Sequence, residues 1–298
     1  MNKPFFIFLC LFFISASNAN ELNNILNKTY DKGSELAEDY IGNLLPAGPG
    51  DTEVSLGKKN GNKPTGTIMI VRPLTVNEDS VVFYQAQINS YAVKGNSRQS
   101  LNYGMGKRFL SDDKSHFWGL NTFVDLDIKA NSRFGFGSEL KASAFNINTN
   151  YYLNFVGDKK SGNEVGADKE RVLDGYDINI SGQVPYAPWA NIAYNDYTWK
   201  AEKATKSSKG KIYSGSFNLS NHYTLELGRD DNNIISNQNF AKLIYIPSAM
   251  KRPTAEDGFS SKAFQNSDIS KDMLTKVKRS NIITLEIEGT GVVIANGN

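Results

Sequence analysis

The length, charge and cysteine content of the chain exclude several classes of protein. Its 298 residues carry 33 basic and 31 acidic side chains, and this net charge of +2 gives no support to nucleic-acid binding. The single cysteine, Cys10, excludes a disulfide within the chain. No run of about twenty apolar residues follows residue 19, so the sequence predicts no membrane-spanning helix.

The first residues have the pattern of a secretory signal peptide. A basic residue, Lys3, precedes an apolar stretch at residues 4–14, and the small residues Ser17 and Ala19 suit cleavage after Ala19. The apolar stretch is too short for the alternative, a membrane anchor. We therefore expect residues 1–19 to be removed on export, which leaves a cysteine-free chain with 32 basic and 31 acidic residues.

Apolar residues fall at helical spacing in the next segment, with Leu22, Ile25 and Leu26 as one group. We interpret residues 20–50 as a periplasmic segment with one or two short amphipathic helices. The residues rich in proline and glycine at 46–50 would end any helix there. A solvated leader without regular structure is the alternative.

The clearest alternation lies in residues 132–155. Phe134 and Phe136 alternate with Arg133 and Gly135, and asparagines then alternate with apolar residues. Because successive strand side chains point to opposite faces, this pattern predicts strands with one apolar and one polar face. Each run has about the ten residues that a tilted strand needs to cross a bilayer. A soluble antiparallel sheet would alternate in the same way, so one hairpin does not decide between them.

Repetition of this pattern along the chain favours a barrel. The sequence predicts twelve strands, at residues 52–58, 65–72, 81–89, 100–109, 116–128, 132–142, 145–155, 176–184, 189–199, 211–219, 222–229 and 239–247. Closing the sheet leaves no strand edge unpaired in lipid, and an even strand number is typical of single-chain bacterial barrels. We predict an all-β fold, in which residues 51–247 form a transmembrane antiparallel up-and-down barrel.

The predicted connections indicate an orientation. With the N-terminus in the periplasm, the longer loops at 156–172, 200–210 and 230–238 lie outside, and the tight turns at 185–188 and 220–221 lie inside. This asymmetry is typical of outer-membrane barrels. Trp189 and Trp199, near the two ends of the ninth strand, are expected in the aromatic girdles at the membrane interfaces.

The alternation stops before residues 248–298. Residues 250–270 are polar and predict a loop, residues 269–277 suit a helical turn or two, and residues 281–288 are extended and rich in β-branched side chains. An unstructured periplasmic tail is one interpretation. Outer-membrane barrels usually end on their last strand, so a trailing segment needs another role.

Catalytic and metal chemistry is poorly supported. His116 and His222 have no pattern that links them to a serine or an acidic partner, so we expect no enzyme activity. Asp125 and Asp127 share one face of a strand and are interpreted as lumen lining rather than as a catalytic pair. The sequence has no cluster of cysteine and histidine, and we expect neither a metal nor a cofactor.

Four glycines, Gly104, Gly106, Gly135 and Gly137, loosely match a phosphate-binding loop. They alternate within strands and do not join a strand to a helix, so they fail as a nucleotide motif. On the lumen face they would leave room for aromatic neighbours or for close approach of another segment.

Several blocks, in the right order, resemble the β-domain of the inverse autotransporters, the family of intimin and invasin. Together they cover about residues 51–286. The blocks are LNYGMGKRF at 101–109, GLNTFVD at 119–125, RFGFGSE at 133–139, NYY at 150–152, DGYD at 174–177, GQVP at 182–185 and KRSNIITLE at 278–286.

This resemblance implies an outer-membrane translocator of type V secretion, whose C-terminal linker, within residues 248–298, runs back through the pore and exports a passenger. The C-terminus would be extracellular. The expected partners are outer-membrane lipid, the protein's own linker, periplasmic chaperones and the barrel-assembly machinery. The side chains expected to line the lumen or contact the linker are Arg108, Asp125, Asp127, Arg133, Glu139 and Lys141 on the barrel and Arg279, Asn281, Ile283 and Leu285 on the linker.

The sequence departs from the family pattern at both ends. No recognisable peptidoglycan-binding module precedes the barrel, and only residues 289–298 stand where intimin carries immunoglobulin-like adhesive domains. The passenger is therefore expected to be vestigial or separately encoded. Two other functions stay open: a porin-like channel or structural barrel without a passenger, and a surface adhesin that acts through outward loops such as residues 157–171.

Overall fold

A computed structural model describes residues 48–60, 62–157, 159–160, 169–235, 237–247, 251–264, 268–288 and 290–293. The predicted signal peptide and nearly all of the predicted segment 20–50 lie outside this part of the chain. None of the helices in the described ranges is long and apolar enough to cross a membrane. Two short 3-10 helices, Ala255–Asp257 and Ser270–Leu274, accompany the strands.

Sixteen strands, numbered in chain order, make up most of the described structure. They are β1 Thr52–Lys59, β2 Thr65–Val76, β3 Ser80–Val93, β4 Asn96–Leu110, β5 His116–Asp127, β6 Ser132–Ala142, β7 Phe145–Asn154, β8 Lys159–Lys160, β9 Lys169–Val172, β10 Gly175–Val184, β11 Ala187–Trp199, β12 Ser208–Asn218, β13 Tyr223–Asn232, β14 Gln238–Tyr245, β15 Leu285–Ile287 and β16 Gly291–Val293. Twelve of them close into one antiparallel barrel, in the order β1-β14-β13-β12-β11-β10-β7-β6-β5-β4-β3-β2. The predicted fold class is confirmed.

Alternation decides which side chains face outward. On β4, Leu101, Tyr103 and Met105 are 42–48% exposed on the outer face, whereas Asn102 and Arg108 are fully buried on the inner face. An outer face of apolar and aromatic residues is the surface that lipid requires. The polar residues of these strands therefore face the barrel interior.

The barrel has two distinct ends. The proximal end holds the start of β1, the end of β14 and the turns at 77–79, 111–115, 143–144, 185–186 and 219–222; the distal end holds the longer connections, including 155–174 and 200–207. After β14 the chain follows the proximal turns. Asn218 Nδ2 donates to the Pro253 carbonyl, Ser260 N–H donates to the Tyr186 carbonyl, and Ile269 N–H donates to the Lys114 carbonyl.

A second sheet lies at the distal end, in the order β16-β15-β9-β8. The sequence predicts residues 156–172 only as a loop, and this prediction is wrong for β8 and β9. Both strands are short and polar, and β9 pairs with β15, which lies more than a hundred residues further along the chain. Local patterns do not reveal such long-range pairing.

The prediction for Trp199 is also wrong. This tryptophan is 3% exposed and lies on the inner face of β11, where its ring centroid is 5.1 Å from that of Tyr152. Strand parity explains the difference, because Trp199 shares its face with the inward residues Asn195 and Tyr197. Trp189 lies at the proximal end, and its indole N–H donates to the Gly258 carbonyl at 2.8 Å.

Candidate functional site

The C-terminal segment at residues 268–288, which we call the linker, passes through the barrel lumen. Its 3-10 helix, Ser270–Leu274, lies at the proximal end, and its strand β15 lies in the distal sheet. Inward side chains of the barrel contact it at successive heights between these two points.

Arg108 holds the linker at the proximal end. Its Nε and Nη2 donate to the two Glu139 carboxylate oxygens at 2.8 and 3.1 Å, and its Nη1 donates to the Met273 and Thr275 carbonyls at 2.8 Å each. Aromatic rings flank the guanidinium, with the centroid of Phe83 4.3 Å away. The buried charge is therefore paired, and carbonyls at the end of the 3-10 helix gain a donor.

Lys141 makes a second, weaker contact at this level. Its Nζ lies 3.2 Å from an Asp272 carboxylate oxygen and 3.3 Å from Thr275 Oγ1. Both charged side chains are partly exposed, so solvent screens the pair and its contribution to stability is small.

A fully buried charge cluster lies at the middle of the linker. Asp125 accepts from Arg133 Nε of the barrel at 2.7 Å and from Arg279 Nη1 and Nη2 of the linker at 2.9 and 2.8 Å. Arg133 also donates to the Ser280 carbonyl at 2.6 Å. Tyr152 Oη donates to Asp177 at 2.6 Å, which places a second carboxylate beside the two guanidinium groups. Two acids thus balance two bases inside the lumen.

Polar side chains of β3, β4 and β7 also bind the linker backbone. These contacts satisfy backbone N–H and C=O groups of the linker, which have no neighbouring strand among the described residues to bind them at this height. They are Gln85 Oε1 with Val277 N–H at 2.8 Å, Asn150 Nδ2 with the Lys278 carbonyl at 3.0 Å, Tyr152 Oη with Ser280 N–H at 2.7 Å and Asn102 Nδ2 with the Asn281 carbonyl at 2.8 Å.

The inward glycines permit close approach, as the sequence predicts. A Cβ on Gly135 would lie 2.7 Å from Arg279 Nη2, so a larger residue there would displace the central arginine of the linker. A Cβ on Gly104 would lie 2.3 Å from the ring of Phe123, which itself stacks against the Arg279 guanidinium at 4.2 Å. Glycine at these two positions makes room for the linker arginine and its aromatic support.

Asp127 belongs to a different cluster from Asp125. It lies 3.0 Å from Arg98 Nη1, and Arg98 also pairs with Glu170 of β9 at 2.6 Å. Asn131 Nδ2 donates to Glu170 at 2.7 Å. Asp127 therefore helps to fix β9 at the distal end, and β9 connects this cluster to the linker by pairing with β15.

The remaining predicted linker residues, Asn281, Ile283 and Leu285, lie toward the distal end. Asn281 Oδ1 accepts from Arg279 Nη1 at 3.1 Å. Ile283 and Leu285 are 0% and 1% exposed in an apolar cluster that includes Tyr91 and Val172. Strand pairing of β15 with β9 places Leu285 opposite Val172.

Glu286 fastens this end to the β11–β12 loop. Its carboxylate accepts the backbone N–H groups of Glu202, Lys203 and Ala204 at 2.8, 2.9 and 3.0 Å. Consecutive backbone N–H groups that converge in this way form a binding concavity for an anion. The buried Glu286 is thus a further linker anchor.

Four further residues that contact or support the linker were not predicted from the sequence: Tyr152, Arg98, Glu170 and Glu286. Tyr152 has a visible signal, because it stands among asparagines on the inner face of β7. Glu286 ends the last block of the family resemblance. Glu170 has no signal, since it lies in a polar stretch without clear alternation.

The side chains described above that bind the linker backbone lie on one side of the lumen. The other side meets linker side chains, as in the Lys276–Glu53 ion pair and the hydrogen bond from Lys278 Nζ to Ser181 Oγ. We call the inner faces of β3 to β7 the holding wall and those of β10 to β14 with β1 the open wall. A cavity of about 370 Å³ lies between the linker and most of the open wall. Short polar side chains line it there, among them Ser55, Asn179, Asn191, Asn195, Ser214 and Ser216.

The two histidines lie at the proximal end, outside the lumen site. His116 Nδ1 is 3.0 Å from Ser115 Oγ, but Asp113 accepts from that serine and not from the histidine, so the groups do not form a relay. His222 Nδ1 contacts the Ile246 carbonyl at 2.9 Å. Within the described ranges, no group of three or more His, Cys, Asp or Glu residues is arranged to hold a metal ion.

A closed barrel with an apolar outer face and a linker in its lumen defines an outer-membrane β-barrel protein. The chain belongs to the inverse autotransporter β-domain family, whose model matches residues 13–278. The family resemblance seen in the sequence is therefore confirmed. A search of curated proteins gave no match.

Several solved structures are similar to the chain at low sequence identity. A membrane protein from a study of in-meso crystallization is 19% identical, with a TM-score of 0.62 over 80% of this chain and 100% of that chain. An outer-membrane channel from Pseudomonas putida F1 is 9% identical, with a TM-score of 0.48 over 67% and 97% of the two chains. Outer-membrane phospholipase A from Escherichia coli is 12% identical, with a TM-score of 0.44 over 70% and 97%.

Proposed function

We propose that the barrel guides its own C-terminal segment across the outer membrane and holds it there, as the translocator of an inverse autotransporter. The proximal end faces the periplasm and the distal end faces the cell surface. The observation that carries the proposal is the line of contacts between barrel and linker along the lumen, which runs from Arg108 at the proximal end through Asp125 to the Glu286 anchor at the distal end.

Two further features support this direction. The distal connections are longer than the proximal turns, which is the asymmetry of outer-membrane barrels. Strand β14 ends at the proximal end, so a C-terminus at the cell surface requires passage through the lumen. Assembly of this barrel in the membrane would depend on periplasmic chaperones and the barrel-assembly machinery.

The described contacts that hold the linker are hydrogen bonds and ion pairs, so holding it requires no nucleotide hydrolysis. Arg108, Arg133 and the asparagines of the holding wall bind backbone carbonyls, and any extended chain offers such groups. Arg279 and Glu286 add contacts that depend on their side chains, so they fix one register of the linker. We infer that the backbone-directed contacts allow the chain to slide during export. Sliding ends when Arg279 and Glu286 bind their partners.

Surface labelling in intact cells tests the direction. With Cys10 removed with the leader, Asn296→Cys would carry the only thiol of the mature protein. We expect an impermeant thiol reagent to label it, as it should label Asn96→Cys at the exposed distal start of β4. Lys262→Cys at the proximal end should stay protected until the outer membrane is permeabilised. Protection of Asn296→Cys together with labelling of Asn96→Cys would contradict the proposal.

A further inference from the structure

The cavity beside the linker extends over the full height of the barrel. On β11 it touches the inward residues from Asn191 near the proximal end to Trp199 at the distal end, and on β12 it touches those from Asn218 to Ile212. On β1 it touches both Glu53 and Lys59, near opposite ends of the strand. The open wall therefore borders a continuous space that runs parallel to the linker.

Most of the lining is hydrophilic and short. Serine and asparagine side chains of the open wall leave the middle of the space wide and able to hold water. The distal end is narrower, because Lys59 and Asp230 form an ion pair at 3.0 Å and Tyr197 Oη donates to Asp230 at 2.9 Å. Trp199, Ile212 and Phe240, which belong to an apolar cluster, also line this end, so the Lys59–Asp230 pair and Tyr197 Oη form the polar side of the constriction.

The charges on the lining are unequal. Six cationic side chains line it, Lys59, Lys242, Arg252, Lys276, Lys278 and Arg279, against four acidic ones, Glu53, Asp177, Glu226 and Asp230. Lys59, Lys242 and Lys276 pair with Asp230, Glu226 and Glu53. Lys278 Nζ donates to Ser181 Oγ at 2.7 Å and meets no carboxylate within ion-pair distance among the described residues. An excess of positive charge along a pore favours anions over cations.

We propose that the barrel, with its linker in place, is also a narrow pore that conducts small monovalent anions such as chloride along the open wall. The Lys59–Asp230 pair is its constriction. This activity does not depend on export of a passenger, because it uses the space that the linker leaves free.

Ion conduction of the full chain in planar lipid bilayers tests this proposal. Under a KCl gradient, we expect the intact protein to give a small steady conductance. Its reversal potential should lie between zero and the equilibrium potential of chloride. Asn195→Trp places a large ring in the middle of the space and should abolish most of this conductance. Ile192→Trp is the matched control, since Ile192 is 60% exposed on the outer face of the same strand and its replacement should leave the conductance unchanged.

Asn195→Asp tests the ion selectivity of the pore, because it changes the charge of the side chain and nearly keeps its volume. It adds one negative charge to the lining and should move the reversal potential toward that of potassium while the conductance persists. Folding of each variant is checked beforehand by its heat-modifiable migration on gels. If the folded intact protein gives no conductance, or if both tryptophan variants conduct equally, the proposal is wrong.

Discussion

The two walls of the lumen face the same linker and have different side chains. The holding wall carries long charged and aromatic residues, and Arg108, Asp125 and Arg133 are completely buried there. The open wall carries short residues such as Asn195 and Ser214, which border a cavity. The holding wall reaches the linker backbone at several heights, whereas the open wall meets the linker through the side chains of Lys276 and Lys278. The comparison shows that inward polar residues bind a segment where they lie close enough to reach its backbone, and that the charged ones are buried where they are paired.

The largest expected effect is the loss of the central carboxylate. Asp125→Ala leaves Arg133 and Arg279 buried without their shared acidic partner, and breaking such a pair costs about 3–5 kcal/mol. Urea unfolding in lipid vesicles, followed by tryptophan fluorescence, measures the loss. Asp112→Ala, at an exposed position in the proximal turn 111–115, is the control and should change the free energy of unfolding by less than about 0.5 kcal/mol. Equal losses in the two variants would contradict the comparison.

The next effect concerns the distal anchor. Glu286→Gln keeps the shape of the side chain but removes the charge that three backbone N–H groups bind, at a cost of about 1.5–3 kcal/mol. Because the loss is local, hydrogen exchange of the amides in β15 and in residues 202–204 should speed up while that of the barrel strands stays the same. Glu288→Gln, an exposed position two residues further on, should leave exchange unchanged. Unchanged exchange in Glu286→Gln would exclude this anchor.

A smaller effect is expected from overpacking the holding wall. Gly135→Ala puts a methyl group 2.7 Å from Arg279 Nη2, which is held by Asp125 and has little freedom to move, and we expect a loss of about 1–3 kcal/mol. Gly57→Ala, on the inner face of β1 in the open wall, meets only Thr65 Oγ1 at 3.0 Å as its nearest neighbour. The threonine side chain rotates, so the change should stay below about 1 kcal/mol. Unfolding in urea compares the pair, and a larger loss at Gly57 would reverse the assignment of the two walls.

The smallest effect is expected on the open wall itself. Ser216→Ala removes one hydroxyl group from the cavity lining, where water replaces the lost contacts. The free energy of unfolding should change by less than about 0.5 kcal/mol. A loss of several times this size would mean that Ser216 also takes part in holding the linker.

Much of the barrel could be predicted from the sequence because strand alternation is a local pattern. Arg133 and Gly135 alternate with Phe134 and Phe136, and this alone assigns an inner and an outer face to β6. The number of barrel strands, twelve, agrees with the even count that is typical of single-chain bacterial barrels. The tryptophan at 199 shows the limit of this reasoning, since an aromatic residue near a strand end suits either face until its parity is known.

The division of the lumen could not be predicted in the same way. Alternation treats Asp125 and Asn195 alike, as inward polar residues, although one binds the linker and the other lines the cavity. That difference depends on which strands lie opposite each other after closure. The pairing of β15 with β9 depends on the path of the linker. Local sequence patterns predict neither this pairing nor the division of the lumen.

Cross-linking of the linker to each wall tests the central claim most directly. In a background without Cys10, Asn281→Cys is combined either with Asn102→Cys on the holding wall or with Asn195→Cys on the open wall, and a short thiol-specific cross-linker is added to folded protein. Asn102 Nδ2 lies 2.8 Å from the Asn281 carbonyl, so we expect the first pair to cross-link in high yield and the second pair in low yield. Equal yields, or a preference for the open wall, would contradict the account.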